Sequence, residues 1–290
     1  MTLNVFLQTL LSGLLMGCVY ALVTVGFTLV FGVLDIVNFA HGNIVMAAMF
    51  VTYVLYQGFR IDPYVALLIV VPLFMVLGMA LHKGLFSRLL DTPHSTHIMV
   101  TLGLMIALEN TTNLIFGGDL RGINTTYTTA SLQVGGISIQ LARAGAALVA
   151  LVTVATMGIF LRRSDIGKAI RAAASNRLGA NLCGIQVKRV YLISVGLATT
   201  AAAVAGGVMM PYYLVSPFAG HEFLNKSFAI AVVGGMGSFG GAFLAAMIIA
   251  MVEAFGGMLL SPVLANAIVF GLLILVLLFK PSGLLSNARN

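Results

Sequence analysis

The stretch VLDIVNFAHGN (Val33–Asn43) gathers an aspartate, two asparagines and a histidine, although Asp35 is the sole charged side chain between Met1 and Phe59. Asn38 and Asn43 each carry a donor and an acceptor, which suits backbone groups left unpaired where a helix is interrupted. His41, followed by Gly42, has three available roles: proton relay, substrate contact, or hydrogen-bond partner for freed carbonyls. An ordinary interfacial turn between two membrane spans is the bland alternative for the whole knot.

Other chemistry-bearing residues are sparse. Glu109, beside Asn110, falls past the middle of an apolar run, where an ionisable group is a functional candidate unless a neighbouring helix or the outer headgroups satisfy it. Glu253 falls near the expected inner end of its run and reads as interfacial. Gly234, Gly235 and Ser238 lie in a glycine-rich stretch; Ser238 has no base in its local sequence, which leaves little room for an intramembrane protease. Carboxylate pairs and His/Cys clusters at metal-ligand spacing are absent from the sequence. Gly167–Lys168 lacks the upstream glycine of a phosphate-binding loop and is followed by Ala169, so ATP hydrolysis by that route is excluded.

These residues must be positioned by elements that live in lipid. Hydrophobic residues make up 60% of the chain and charged ones only 8%, with mean hydropathy +1.08. Soluble domains carry roughly a quarter charged residues, so this surface needs a bilayer as its solvent. Long runs of Leu, Val, Ala, Gly and Met without alternation favour helices over a barrel. The first Lys or Arg is Arg60, so the N-terminal run lacks the basic flank of a cleaved signal and is read as mature structure. Cys18 and Cys183 form no disulfide framework. The net charge of +7 matters through its distribution, and nucleic acid is not an expected partner.

Six segments fit single spans: Leu3–Val23, Ala40–Phe59, Pro63–Leu81, His97–Phe116, Ala142–Leu161 and Val190–Ser216. Ser227–Phe279 holds two more, divided near Gly256–Gly257, for about eight crossings. Basic residues in 82–97 and 162–190 place both loops on the cytoplasmic side, and walking outward places both termini outside, against mild opposition from Lys280 and Arg289. Two apolar surpluses remain, Thr24–Phe39 and SFAIAVVGGMGSFGG (Ser227–Gly241), each too short to cross. The order span, broken piece, span, span therefore occurs twice and with opposite parity, as in an inverted repeat. The expected architecture is an all-α polytopic membrane protein forming a single domain over 1–290. It comprises repeat 1 over about 3–81, a central pair of spans over about 97–161, a basic loop at 162–190, and repeat 2 over about 190–279.

The loop reads as one or two short helices with a turn at Ser175–Asn176. Lys168, Arg171 and Ser175 share one face, while Ile166, Ile170, Ala173 and Ala180 share the other; Arg177 breaks the division. An anchor for anionic lipid and a contact for a partner protein both fit. Ala180 and Gly184, small residues four apart, permit close backbone approach.

The motifs together are family-like. GFTLVFGVLDIVNFAHGN (Gly26–Asn43) resembles the signature of the permease subunits of branched-chain amino-acid ABC transporters. GKAIRAAASNRLGANLCGI (Gly167–Ile185) is similar to that family's coupling segment, VVGGMGSFGGAFLAA (Val232–Ala246) to its glycine-rich stretch, and LFKPSGLL (Leu278–Leu285) to its ending. The resemblance implies a multi-pass protein of the bacterial inner membrane. It would work with a second homologous permease, two cytoplasmic ATPases that bind the ATP, and a periplasmic binding protein, with no cofactor in this chain. The interrupted elements and the intramembrane polar groups place the expected pathway near Asn38, His41, Gly42, Asn43, Glu109, Gly234, Gly235 and Ser238. The resemblance implies coupling through Gly167, Lys168, Arg171, Asn176, Ala180 and Gly184, although Leu178 stands where the general coupling motif opens with glutamate. Permeases for urea, short amides or other amino acids are the near alternative, and an ion-coupled secondary transporter the far one.

Overall fold

The computed structural model describes residues 3–285; Arg289 lies outside them. Among the described residues, eight helices are long and apolar enough to cross a bilayer, and the chain is a multi-pass, all-α membrane protein.

The first helix, α1 (Leu3–Leu34), runs 32 residues, about 48 Å at the usual rise, against a hydrocarbon core of about 30 Å. It therefore continues unbroken through most of Thr24–Phe39, where a broken piece was expected. No proline interrupts it, and its glycines mark close approaches. A Cβ on Gly26 would lie 2.8 Å from the Ala198 carbonyl, and one on Gly32 would lie 3.0 Å from the Cα of Gly237. The break comes at Asp35, whose φ of +57° is left-handed, followed by irregular backbone through Asn38. The chain doubles back along α1, so that α2 (His41–Phe59) begins beside Val23, about 16 Å before the end of α1.

Asp62 caps α3 (Pro63–Leu81): its carboxylate accepts from the Tyr64 amide at 2.9 Å and from the Tyr127 hydroxyl at 2.8 Å. Burial, and then that bond to Asp62, raise the Tyr127 phenol above its ordinary pKa. A π turn at His82–Phe86 leads to α4 (Ser87–Leu89) and then α5 (His94–Phe116). An unforeseen hairpin, β1 (Ser131–Val134) with β2 (Ile137–Gln140), precedes α6 (Leu141–Arg163). Its Gly135–Gly136 turn has positive φ at both residues, the two-residue geometry that follows strand twist. Next come α7 (Asp165–Ser175), α8 (Arg177–Leu182), α9 (Val187–Met209), α10 (Gly220–Gly234), α11 (Phe239–Leu259) and α12 (Pro262–Phe279). The last turn falls at Leu260–Ser261, beyond the expected Gly256–Gly257, because Ser261 and Pro262 together start α12.

The most extensive helix pairs are α1 with α11 and α3 with α9. Along the antiparallel α1–α11 seam, Gly13 faces Met251 and Ala254, Gly17 faces Met247 and Ala250, and Gly32 faces Gly237. Small residues let the two backbones close up where lipid supplies no hydrophobic drive.

This seam fixes the C-terminal side. α11 starts at the end of α1 that α7 touches and finishes beside Thr9, and α12 returns. The amides of Leu284 and Leu285 then bond the carbonyls of Val233 and Gly234. The C-terminal segment thus lies on the face bearing the basic loop, opposite the start of α1, and correcting the expectation of both termini outside. The parity changes because α10, only 15 residues long, brings the chain back between α9 and α11.

Candidate functional site

The polar knot forms a buried junction. His41 is 0% exposed; its Nε2 donates to the Val23 carbonyl at 2.9 Å, which leaves Nδ1 as an acceptor with no partner among the described residues. Asn38 Oδ1 accepts from the Ala40 amide at 3.1 Å, and Asn43 Nδ2 donates to the Met105 carbonyl at 3.1 Å. A Cβ on Gly42 would fall on the Gly220 carbonyl oxygen. The motif therefore welds α1, α2, α5 and the start of α10 into one unit, and these residues line neither of the two cavities described here.

What faces outward at that junction is α10. Its first two turns present His221, Glu222 and Asn225 at the surface, although the helix is flanked on both sides by spans. His221 Nε2 lies 2.7 Å from Glu109 Oε2, so Glu109 gains a partner that sequence reasoning had not named. The second expected broken piece is recovered with shifted bounds: helix to Gly234, a turn at Gly235–Ser238, then α11. Gly235 and Gly237 have φ of 98° and 85°. Ser238 caps α11 by accepting from the Gly241 amide and also donates to the Leu285 carbonyl at 3.0 Å. Gly234 is pressed on Gly241, leaving no space for a Cβ on either.

Glu253 is placed differently from expectation. Because α11 starts on the basic-loop face, Glu253 lies toward the opposite one, where its Oε1 is 2.7 Å from Lys226 Nζ. Lys226 also reaches Glu222 at 2.8 Å and the Tyr20 hydroxyl at 2.7 Å, and Tyr213 donates to Glu222 at 2.7 Å. Lys226 was missed because it falls just before the apolar run used to mark the surplus segment.

On the basic-loop face, Ser164 caps α7 by accepting from the Gly167 amide, and Asn176 caps α8 by accepting from the Gly179 amide. A Cβ on Gly167 would strike the Phe160 carbonyl and Leu161, and Arg171 donates to the Leu161 carbonyl, so α7 is clamped onto the end of α6. Lys168 pairs with Asp165 at 2.9 Å and holds its carboxyl below the ordinary range. α8 ends in paired bonds, Ile185 N–H to Ala180 and Gly184 N–H to Asn181, with Gly184 at φ +80°, the Schellman arrangement. Ala180 packs inward at 5% exposure, while Leu178 and Leu182 stand out at 71% and 81%. Ala180 is thus used within the chain, and the outward small residue is Gly184. Arg177 lies 3.3 Å from Asp91, joining this segment to the other basic loop on one face. Between them opens a cavity of about 900 Å³.

No solved structure matches the chain. It is 29% identical to the high-affinity branched-chain amino acid transport system permease protein BraD of Pseudomonas aeruginosa, over 97% of this chain and 96% of that protein. It is 28% identical to the LivH permease protein of Escherichia coli K12 over the same shares. It is 24% identical to a probable LivH permease of Methanocaldococcus jannaschii, over 87% and 80%. The family model described as "branched-chain amino acid transport system / permease component" matches residues 9–278, and the chain belongs to that family.

Proposed function

We propose that this chain is the membrane-spanning permease subunit of an ABC importer carrying branched-chain amino acids across the bacterial inner membrane. The observation that carries this reading is the family match from residue 9 to residue 278. Features of the fold support this reading. α7 and α8 are capped, clamped to α6 and joined to α9, and they turn Leu178 and Leu182 outward from the basic face. Two cytoplasmic ATPases dock there and bind the ATP; this chain does no covalent chemistry. A second homologous permease faces the polar side of α10, and the pathway runs between them, past His221, Glu222 and Asn225. Asn38, His41, Gly42 and Asn43 brace that wall, and the turn at Gly234–Ser238 closes it on the basic side. Cargo arrives from a periplasmic binding protein.

Relating α1–α3 to α9–α11 as inverted copies exchanges the two most extensive helix pairs, α1 with α11 and α9 with α3. That exchange supports a repeat able to rock in alternating access. The test is purification of the tagged chain with its co-expressed neighbours and assay of leucine uptake in cells. Wild type brings down an ATPase and restores uptake to a strain lacking the chain. Leu178→Asp with Leu182→Asp leaves the permease in the membrane but loses both the ATPase and the uptake. Retained ATPase in that variant rejects the docking surface.

A further inference from the structure

A cavity of about 450 Å³ opens among the first half of α1, the start of α6, the Tyr212–Tyr213 turn, α10 and the end of α11. Its volume falls within the range of about 300–1,000 Å³ usual for small-molecule sites. It lies on the face opposite the basic loop, where delivered cargo would arrive. We infer that it binds one α-amino acid zwitterion with an aliphatic side chain, before the pathway opens toward the other face. This inference rests on the importer reading and names the cargo-binding station within it.

The wall carries two cations, Lys226 and Arg143, and two carboxylates, Glu222 and Glu253. A net-neutral wall accepts a zwitterion without leaving a surplus charge in the cavity, whereas a singly charged ion would leave one. The charges are unevenly used. Lys226 is consumed by Glu222, Glu253 and Tyr20. Around Lys226 two carboxylates, Glu222 and Glu253, face one ammonium, which leaves that side of the wall one negative charge in excess for an α-ammonium group. Arg143 has no ion pair among the described residues; its guanidinium rests over the Tyr212 ring at 5.8 Å, a fork free for an α-carboxylate. Leu15, Met16, Ala250 and Ala254 supply apolar wall for the side chain. An excess negative charge around Lys226, an unpaired cation at Arg143 and an apolar patch in one cavity match the three parts of such an amino acid.

The test uses the full chain in right-side-out membrane vesicles. Cys18→Ala and Cys183→Ala remove the native thiols, and Ser12→Cys places one on the cavity wall; Ala254→Cys serves the same purpose if the first variant does not assemble. A membrane-impermeant maleimide should label this thiol from outside. Leucine at about ten times its dissociation constant should slow labelling by about tenfold. Isoamylamine and 4-methylpentanoate, which keep one charge each, should not slow it, and Glu253→Gln should remove the protection by leucine. No labelling of either thiol, labelling that leucine leaves unchanged, or equal protection by the singly charged analogues overturns the inference. The importer reading is scored separately by leucine uptake in cells lacking the chain. Uptake that depends on the chain, together with an unprotected thiol, rejects the site alone; uptake that does not depend on it rejects the importer while a protected thiol still supports the site.

Discussion

At the scale of the residue, Gly42 shows how little room the central junction leaves. Its hydrogen points at the Gly220 carbonyl, with Leu224 behind it. Gly42→Ala must push α10 off α2, and overpacking of this kind costs about 1–3 kcal/mol. The expected outcome is a lower midpoint of thermal unfolding in detergent, read by loss of the monodisperse peak, with Gly42→Val worse than Gly42→Ala. Equal midpoints for all three would mean that the two helices are not in this contact. The sequence made this knot visible through its polar crowding in an apolar run. It did not show that the polar atoms would be spent on carbonyls of α1 and α5, because those partners lie far along the chain. His41 and Val23 are 18 positions apart, and Asn43 and Met105 are 62 apart. Lys226 and His221 were harder still, since nothing in HEFLNKS states that Tyr20, Glu109 and Glu253 will surround it.

At the scale of the element, legibility followed hydropathy. The bounds of α3 were readable because Asp62–Pro63 starts a helix by rule. Those of α10 were not, because its polar residues His221, Glu222, Asn225 and Lys226 depress its apolar signal and 15 residues fall short of a crossing. The hairpin at 131–140 has its sign in Gly135–Gly136 between strand-like residues, a local signal outweighed by the helical runs on either side. α8 supports a prediction of its own. Within this chain a Cβ on Gly184 meets no neighbour, so its own fold objects to a substitution only through the φ of +80°. A β-branched residue held in that region is strained by about 1–2 kcal/mol, while asparagine adopts it readily. Gly184→Val should therefore uncouple ATP hydrolysis from uptake in reconstituted vesicles, and Gly184→Asn should retain most of the coupling. Equal coupling in both would remove the cap from the mechanism.

At the scale of the whole molecule, eight long apolar helices stand among the described residues, yet from Leu3 to Leu285 the chain changes sides an odd number of times because α10 returns it. The first and last described residues, Leu3 and Leu285, then lie on opposite faces. Cys183 and a Lys280→Cys thiol should react with an impermeant reagent from the basic-loop side, and an Asn4→Cys thiol from the other. Labelling of Lys280→Cys and Asn4→Cys from one side would refute the assigned path of α10–α12.

The seam of α1 against α11 has a mechanical corollary. A rod of about 48 Å, with glycines on the side facing α11 and running from Leu3 past Tyr20 to Leu34 at the α7 end, would act as a lever. A tilt of about 5° at one end would displace the other by about 4 Å over that length. A small push on the basic side would thus become a stroke at the far mouth, with no joint between them to absorb it.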